Sequence, residues 1–147
     1  MSVIYNRGLY YLQNNAISGS TDIRALVLAG SSVPGGAQSP DLNFVSELLA
    51  VGSVVEAAAT NYARQDLAGV TLTEDDSGDR VTLTATAPTI NSVGAGETWR
   101  AVVYYIEGAS DAARTLLAMD TPASTLPTNG GNVTLPALSI IITDATP

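Results

Sequence analysis

The sequence predicts a mainly β chain, a β-sandwich or barrel-like single domain with one or two short helices, and three observations lead there. Aliphatic and threonine residues alternate on both sides of an acidic turn at 74–79. Two later segments, 98–106 and 113–119, read as strands, the first of them apolar on both faces apart from Arg100. Loops rich in Gly, Pro and Ser separate these runs, as expected where strands rather than long helices build the core. The length of 147 residues fits one domain. At that size a fold buries roughly 68–70% of its unfolded surface, enough for a core without staples.

Residues 5–16 are the first expected helix. Leu9, Tyr10 and Leu12, with Ile17 just beyond, place apolar side chains on one side, Asn14-Asn15 supplies a stop, and Gly8 weakens the pattern. Residues 22–29 read as a strand buried on both faces, because Ala25 to Ala29 is uninterruptedly apolar. The loop 30–40, with two prolines and three glycines, is expected to be flexible. An Asp41 cap followed by apolar residues at 42, 45, 48 and 49 predicts a second short helix. Residues 51–59 mix small and β-branched types and fit either a strand or an extended loop.

The hairpin comes next. Val70 and Leu72 alternate with Thr71 and Thr73; Val81, Leu83 and Ala85 alternate with Thr82, Thr84 and Thr86. Such a pair buries its aliphatic face and leaves a threonine face in water. Residues 98–106 form a central strand that needs cover on both sides, from this domain or from a neighbouring subunit. A strand at 113–119, a second flexible loop at 121–131 and a last strand at 132–143 complete the chain, with Pro136 confined to a strand start or a sheet edge.

Composition closes off much chemistry. The chain has no Cys, hence no disulfide, thiolate metal site or cysteine nucleophile. It has no His, the usual general base near neutral pH, and no Lys; its six cations are Arg7, Arg24, Arg64, Arg80, Arg100 and Arg114. Carboxylates, hydroxyls and guanidinium groups remain. A non-enzymatic protein with no catalytic residues and no cofactor is therefore expected. The net charge of −8 and the scattered arginines argue against a nucleic-acid partner and against an acidic membrane surface. The longest apolar run, 101–106, is far short of the ~20 residues a membrane helix needs. Residues 1–7 lack the pattern of a signal peptide, so synthesis in the cytosol is expected. Charged residues make up 14% of the chain against about 25% in average domains, which leaves much of the surface neutral.

Several residues are candidate sites. Asp75, Asp76 and Asp79, with Glu74, could bind a hard cation such as calcium, although the spacing of a helix–loop–helix calcium site is missing; the plainer reading is a charged hairpin tip. A carboxylate pair could hydrolyse a glycosidic bond, yet no two acidic residues stand out as a pair. Trp99, Tyr104 and Ile106 belong to types that dominate subunit interfaces, with the core as the competing location. Tyr5 and Tyr10 could anchor a docking arm or simply lay the first helix on the sheet.

The order of segments is similar to a broad group of small tailed-bacteriophage virion proteins from capsid and tail structural genes. The resemblance runs over residues 3–143 and is carried by the opening Ile-Tyr-Asn-Arg at 4–7, Asp22 to Val27, Gly69 to Asp76, Asp79-Arg80-Val81, Thr98 to Tyr105, and Leu-Leu-Ala-Met-Asp at 116–120. It implies a structural protein made in the host cytoplasm and incorporated into the virion, with other virion proteins, above all the major capsid protein, as partners. A capsid decoration (cement) protein fits best, since a subunit of −8 charge facing packaged DNA would be repelled. A homo-oligomer, with a trimer as the candidate form, goes with that role. The alternatives are a tail or neck subunit, whose acidic lumen would let DNA slide, and a glycan- or receptor-binding module on the particle exterior.

Overall fold

The computed structural model describes residues 3–14, 17–78 and 80–143, and its backbone follows the hydrophobic pattern closely. In chain order the elements are β1 (Val3–Ile4), α1 (Asn6–Gln13), β2 (Ile23–Ala29), α2 (Val45–Ala50), β3 (Gln65–Asp66), β4 (Thr71–Asp75), β5 (Arg80–Ala85), β6 (Thr89–Ile90), β7 (Thr98–Ile106), β8 (Thr115–Asp120), β9 (Leu126–Pro127), β10 (Val133–Thr134) and β11 (Leu138–Thr143). The chain is thus mostly β with two short helices. One antiparallel sheet runs β1-β8-β7-β2-β3, with β9 on the start of β7; a second runs β11-β5-β4; β10 and β6 form a short pair.

Strand β7 is central, and this chain covers both of its faces. Trp99, Val102 and Tyr104 pack with Leu83, Ile140 and Leu12, which belong to the second sheet and α1. Ala101, Val103 and Tyr105 face the other way, toward Tyr5, Ala37, Val45 and Leu48. Simple alternation would put Trp99 and Ala101 on one side. The register against β2 shifts here, with Leu28 opposite Ala101 and Ala29 opposite Trp99, so Arg100 is an extra residue. That bulge turns Trp99 onto the face of Val102 and Tyr104. A matching shift in β8, between the partners of Tyr104 and Tyr105, puts Leu117 and Ala118 on one face together.

Helix α1 lies directly on β8, and Gly8 makes this possible. A Cβ at Gly8 would stand 2.6 Å from the Cα and carbonyl oxygen of Leu117. The helix ends where the Asn14 side chain folds back to donate to the Tyr10 carbonyl at 2.8 Å. Of the predicted helix at 5–16, residues 15 and 16 lie outside the described residues. Helix α2 starts at Val45 rather than after Asp41. Its cap is Glu47, whose carboxylate accepts the N–H groups of Asn43 (2.6 Å) and Phe44 (3.2 Å). Asp41 instead accepts from the Asn6 side chain at 2.9 Å.

The loop 30–40 contains a 3-10 turn at Gly35–Gln38 whose Ala37 is buried. Residues 55–57 run along β2 in extended form, with the Ala29 N–H bonded to Val55 and the Ala57 N–H to Val27. The predicted strand at 113–119 begins later, at Thr115, because Ala113 and Arg114 close a turn on the Ser110 carbonyl. The predicted strand at 132–143 is two strands, β10 and β11, on either side of Pro136. Pro136 has no N–H to give a ladder, and its carbonyl accepts from the Tyr104 hydroxyl at 2.8 Å.

Candidate functional site

The second sheet turns its aliphatic side chains inward and leaves an outer face that is almost free of charge. Leu72, Leu83 and Ile140 are aligned on the inner face. Ser139, Thr84 and Thr71 form one outer row, and Ile141, Thr82 and Thr73 the next. Six residues, all small hydroxyls except one isoleucine, thus line this face. Ile141 is 54% exposed, one of the few large apolar side chains in that position. The threonine side was legible in the hairpin. Ile141 was not, because in Ile140-Ile141-Ile142 neighbouring side chains of one type point to opposite faces.

At one end this face gives way to charge. Thr143, Arg80 and Asp75 make the third row, and Arg80 pairs with Asp75 at 2.9 Å. An open hollow of about 540 Å³ lies there, lined by Thr73, Glu74, Asp75, Asp76, Arg80 and Thr82. The Asp75 carboxylate accepts from the Ser77 hydroxyl (2.7 Å) and from the N–H groups of Ser77 (3.2 Å) and Gly78 (3.1 Å). The Ser77 hydroxyl, the Gly78 amide and Arg80 together hold its pKa below the ordinary carboxylate range. Asp75 therefore builds the turn. Asp76 stands beside it, and Asp79 lies outside the described residues. Among the described residues no three carboxylates converge to hold a metal ion.

The aromatic interface candidates are mostly interior. Tyr5, Trp99 and Tyr104 are essentially inaccessible, which corrects their assignment to a docking surface. Each has a structural partner instead. The Tyr5 hydroxyl donates to the Ala37 carbonyl at 2.9 Å, fixing the 3-10 turn. The Trp99 indole donates to Glu97 at 2.8 Å, and its ring meets Tyr62 edge-on at 5.6 Å. Tyr104 holds Pro136, as above. Ile106 is half-buried and packs on the core from its edge. Tyr10 alone of the five is well exposed, at 62%, with Tyr11 edge-on beside it.

A second constellation, missed in the sequence, is a network of ion pairs, half-buried apart from the exposed Asp66. Arg64 binds Glu56 (2.7 Å) and Asp111; Arg114 binds Glu107 (2.6 Å) and Asp111 (2.6 Å); Arg24 binds Asp66 (2.8 Å) and Glu107 (3.3 Å). The guanidinium groups of Arg64 and Arg114 lie over the Tyr105 ring. Hydrogen bonds from Arg64, then Arg114, hold Asp111 below its usual pKa, and those from Arg114 do the same for Glu107. Asp111 and Glu107 are kept ionised by these arginines, which suits a clamp between the 56–66 segment and the 107–114 turn. A general acid needs the opposite shift. Of these pairs only Asp111 and Arg114, three residues apart, are near neighbours in sequence; Arg64 meets Asp111 and Arg24 meets Asp66 and Glu107 only through the fold.

Among the described residues, no helix is long and apolar enough to cross a membrane. The chain matches no protein-family model, no curated protein and no solved structure.

Proposed function

We propose that this chain is a bacteriophage virion structural protein, a decoration subunit that packs on the outer surface of the capsid and stabilises it. The observation that carries this reading is the uncharged outer face of the β4–β5–β11 sheet, where hydroxyl side chains surround the exposed Ile141. Interface cores are depleted in charge, and an uncharged face of this kind loses little on dehydration when a partner supplies matching polar groups. The remainder of the chain bears the net charge of −8, which keeps the free subunit soluble and disfavours a position against packaged DNA. The order of segments adds the resemblance to small tailed-phage virion proteins.

The test is to mix purified protein with particles lacking it and to measure co-sedimentation. Wild type is expected to bind to saturation at a fixed ratio to the major capsid protein and to raise the temperature at which the shell opens. Thr84→Glu, which places a charge in the middle of the neutral face without touching the core, is expected to abolish binding while leaving the fold intact. Undiminished binding by Thr84→Glu would remove this face from the account. Binding confined to tails or necks would replace the capsid position with that of a tail subunit.

A further inference from the structure

We infer that the free edge of β11 pairs antiparallel with β11 of a second copy of this chain, about a two-fold axis, joining two three-stranded sheets into one. Strand β11 is bonded to β5 on one side only. Among the described residues, no backbone or side-chain group from outside the sheet bonds to the other edge of Leu138–Thr143. An unpaired edge is a template for another strand, and proteins that stay monomeric protect such edges with charge, proline, a bulge or brevity. Strand β11 has none of these protections: it is six residues long, pairs with β5 in unbroken register, and carries no charge and no proline. The central sheet, by contrast, ends in β1 and β3, each two residues long.

Charge selects the partner. Two copies at −8 each repel, so they can approach closely only where neither presents an acid. The other edge of the same sheet, β4, carries Glu74 and Asp75 and leads into Asp76, so β4 against β4 sets like charges together. β11 against β11, with Ile141 at the centre, opposes only Ser, Ile and Thr over positions 139–143, and by sequence register the nearest acid, Asp144, comes opposite the uncharged Leu138. With the axis at Ile141, that side chain lies beside its own copy and Ser139 lies beside Thr143, so the most exposed aliphatic group of the sheet is covered. The pairing is isologous and closes as a dimer. It would also double the neutral face into one continuous surface, yet it does not depend on the virion reading; a dimer that binds no particle would leave it standing.

The absence of cysteine makes the experiment direct. Sedimentation equilibrium of the purified wild-type chain is expected to give the mass of two chains, and Ile141→Glu the mass of one with an unchanged far-UV spectrum. Under mild oxidation Ile141→Cys is expected to cross-link to itself, and Thr71→Cys, on the opposite edge, to stay uncross-linked. A wild-type mass of one chain at every concentration would overturn the pairing, as would a dimer that persists in Ile141→Glu. A mass of three chains, with cysteines at 71 and 141 linking to one another, would put β11 on β4 in a ring and overturn it equally.

Discussion

Arg64 and Asp111, 47 residues apart in the chain, meet in a two-pronged ion pair, with Nη1 donating to Oδ1 and Nη2 to Oδ2. The same guanidinium holds Glu56 through its Nε and Nη2, each at 2.7 Å, so one side chain ties two segments across the end of the central sheet. Planar, forked geometry is what arginine offers and lysine lacks.

Replacing Arg64 by Ala should cost about 2 kcal/mol, above the ~0–1 kcal/mol of an exposed pair and below the ~3–5 kcal/mol of a fully buried one, because half-buried Glu56 loses its only guanidinium partner among the described residues while Asp111 keeps Arg114. Arg64→Lys should restore less than half of the loss. Denaturant titration checks both values, and equal stability of wild type and Arg64→Ala would mean the network is ornamental.

Acid should loosen the same region first. Asp111 and Glu107 are held below their ordinary pKa by hydrogen bonds from Arg64 and Arg114. A carboxylate depressed on folding contributes stability that is present above its unfolded pKa and lost as pH falls through the folded one. Thermal stability should therefore decline from pH ~4 downward, where unfolded carboxylates begin to take up protons. In Asp111→Asn the decline should be shallower, since one of the two linked groups no longer titrates. An identical acid profile for that variant would refute the linkage.

Gly8→Ala should destabilise the fold by roughly 3 kcal/mol, since a β-carbon at 2.6 Å from the Leu117 backbone forces α1 off β8. By helix propensity alone the same change would stabilise by about 1 kcal/mol. The sign of the measured effect thus decides between local preference and packing.

Tyr62→Phe should cost about 1–3 kcal/mol. The hydroxyl accepts the Val27 N–H at 3.0 Å and donates to Glu56 at 3.0 Å, so its loss leaves a backbone donor unpaired in the interior. Trp99, the one tryptophan of the chain, stands 5.6 Å away and reports unfolding through its emission. A variant as stable as wild type by that probe would show that water takes over the Val27 amide.

The elements that local pattern determines were legible in the sequence. Thr71 to Thr73 and Val81 to Ala85 alternate because one face is dry and the other wet, and Trp99 to Ile106 is apolar apart from Arg100 because both faces are covered. What was hidden depends on partners distant in sequence. Trp99 shares the face of Val102 and Tyr104 because Arg100 is an extra residue against β2. Glu47 displaces Asp41 as the cap of α2 because Asp41 is engaged by Asn6. Tyr5 is interior because the 3-10 turn at 35–38 closes over it. Gly8 reads as a flaw in a helix and is the residue that seats the helix. The neutral sheet face was half visible, with its threonines evident and Ile141 concealed in a run of three isoleucines.

Whether this chain is a decoration subunit is decided by its copy number in intact, gradient-purified particles, measured by quantitative mass spectrometry against the major capsid protein. A fixed ratio set by the symmetry of the shell is expected, lost when Thr84→Glu replaces the wild-type chain. Particles that never contain the chain, or that retain Thr84→Glu at full occupancy, would contradict it.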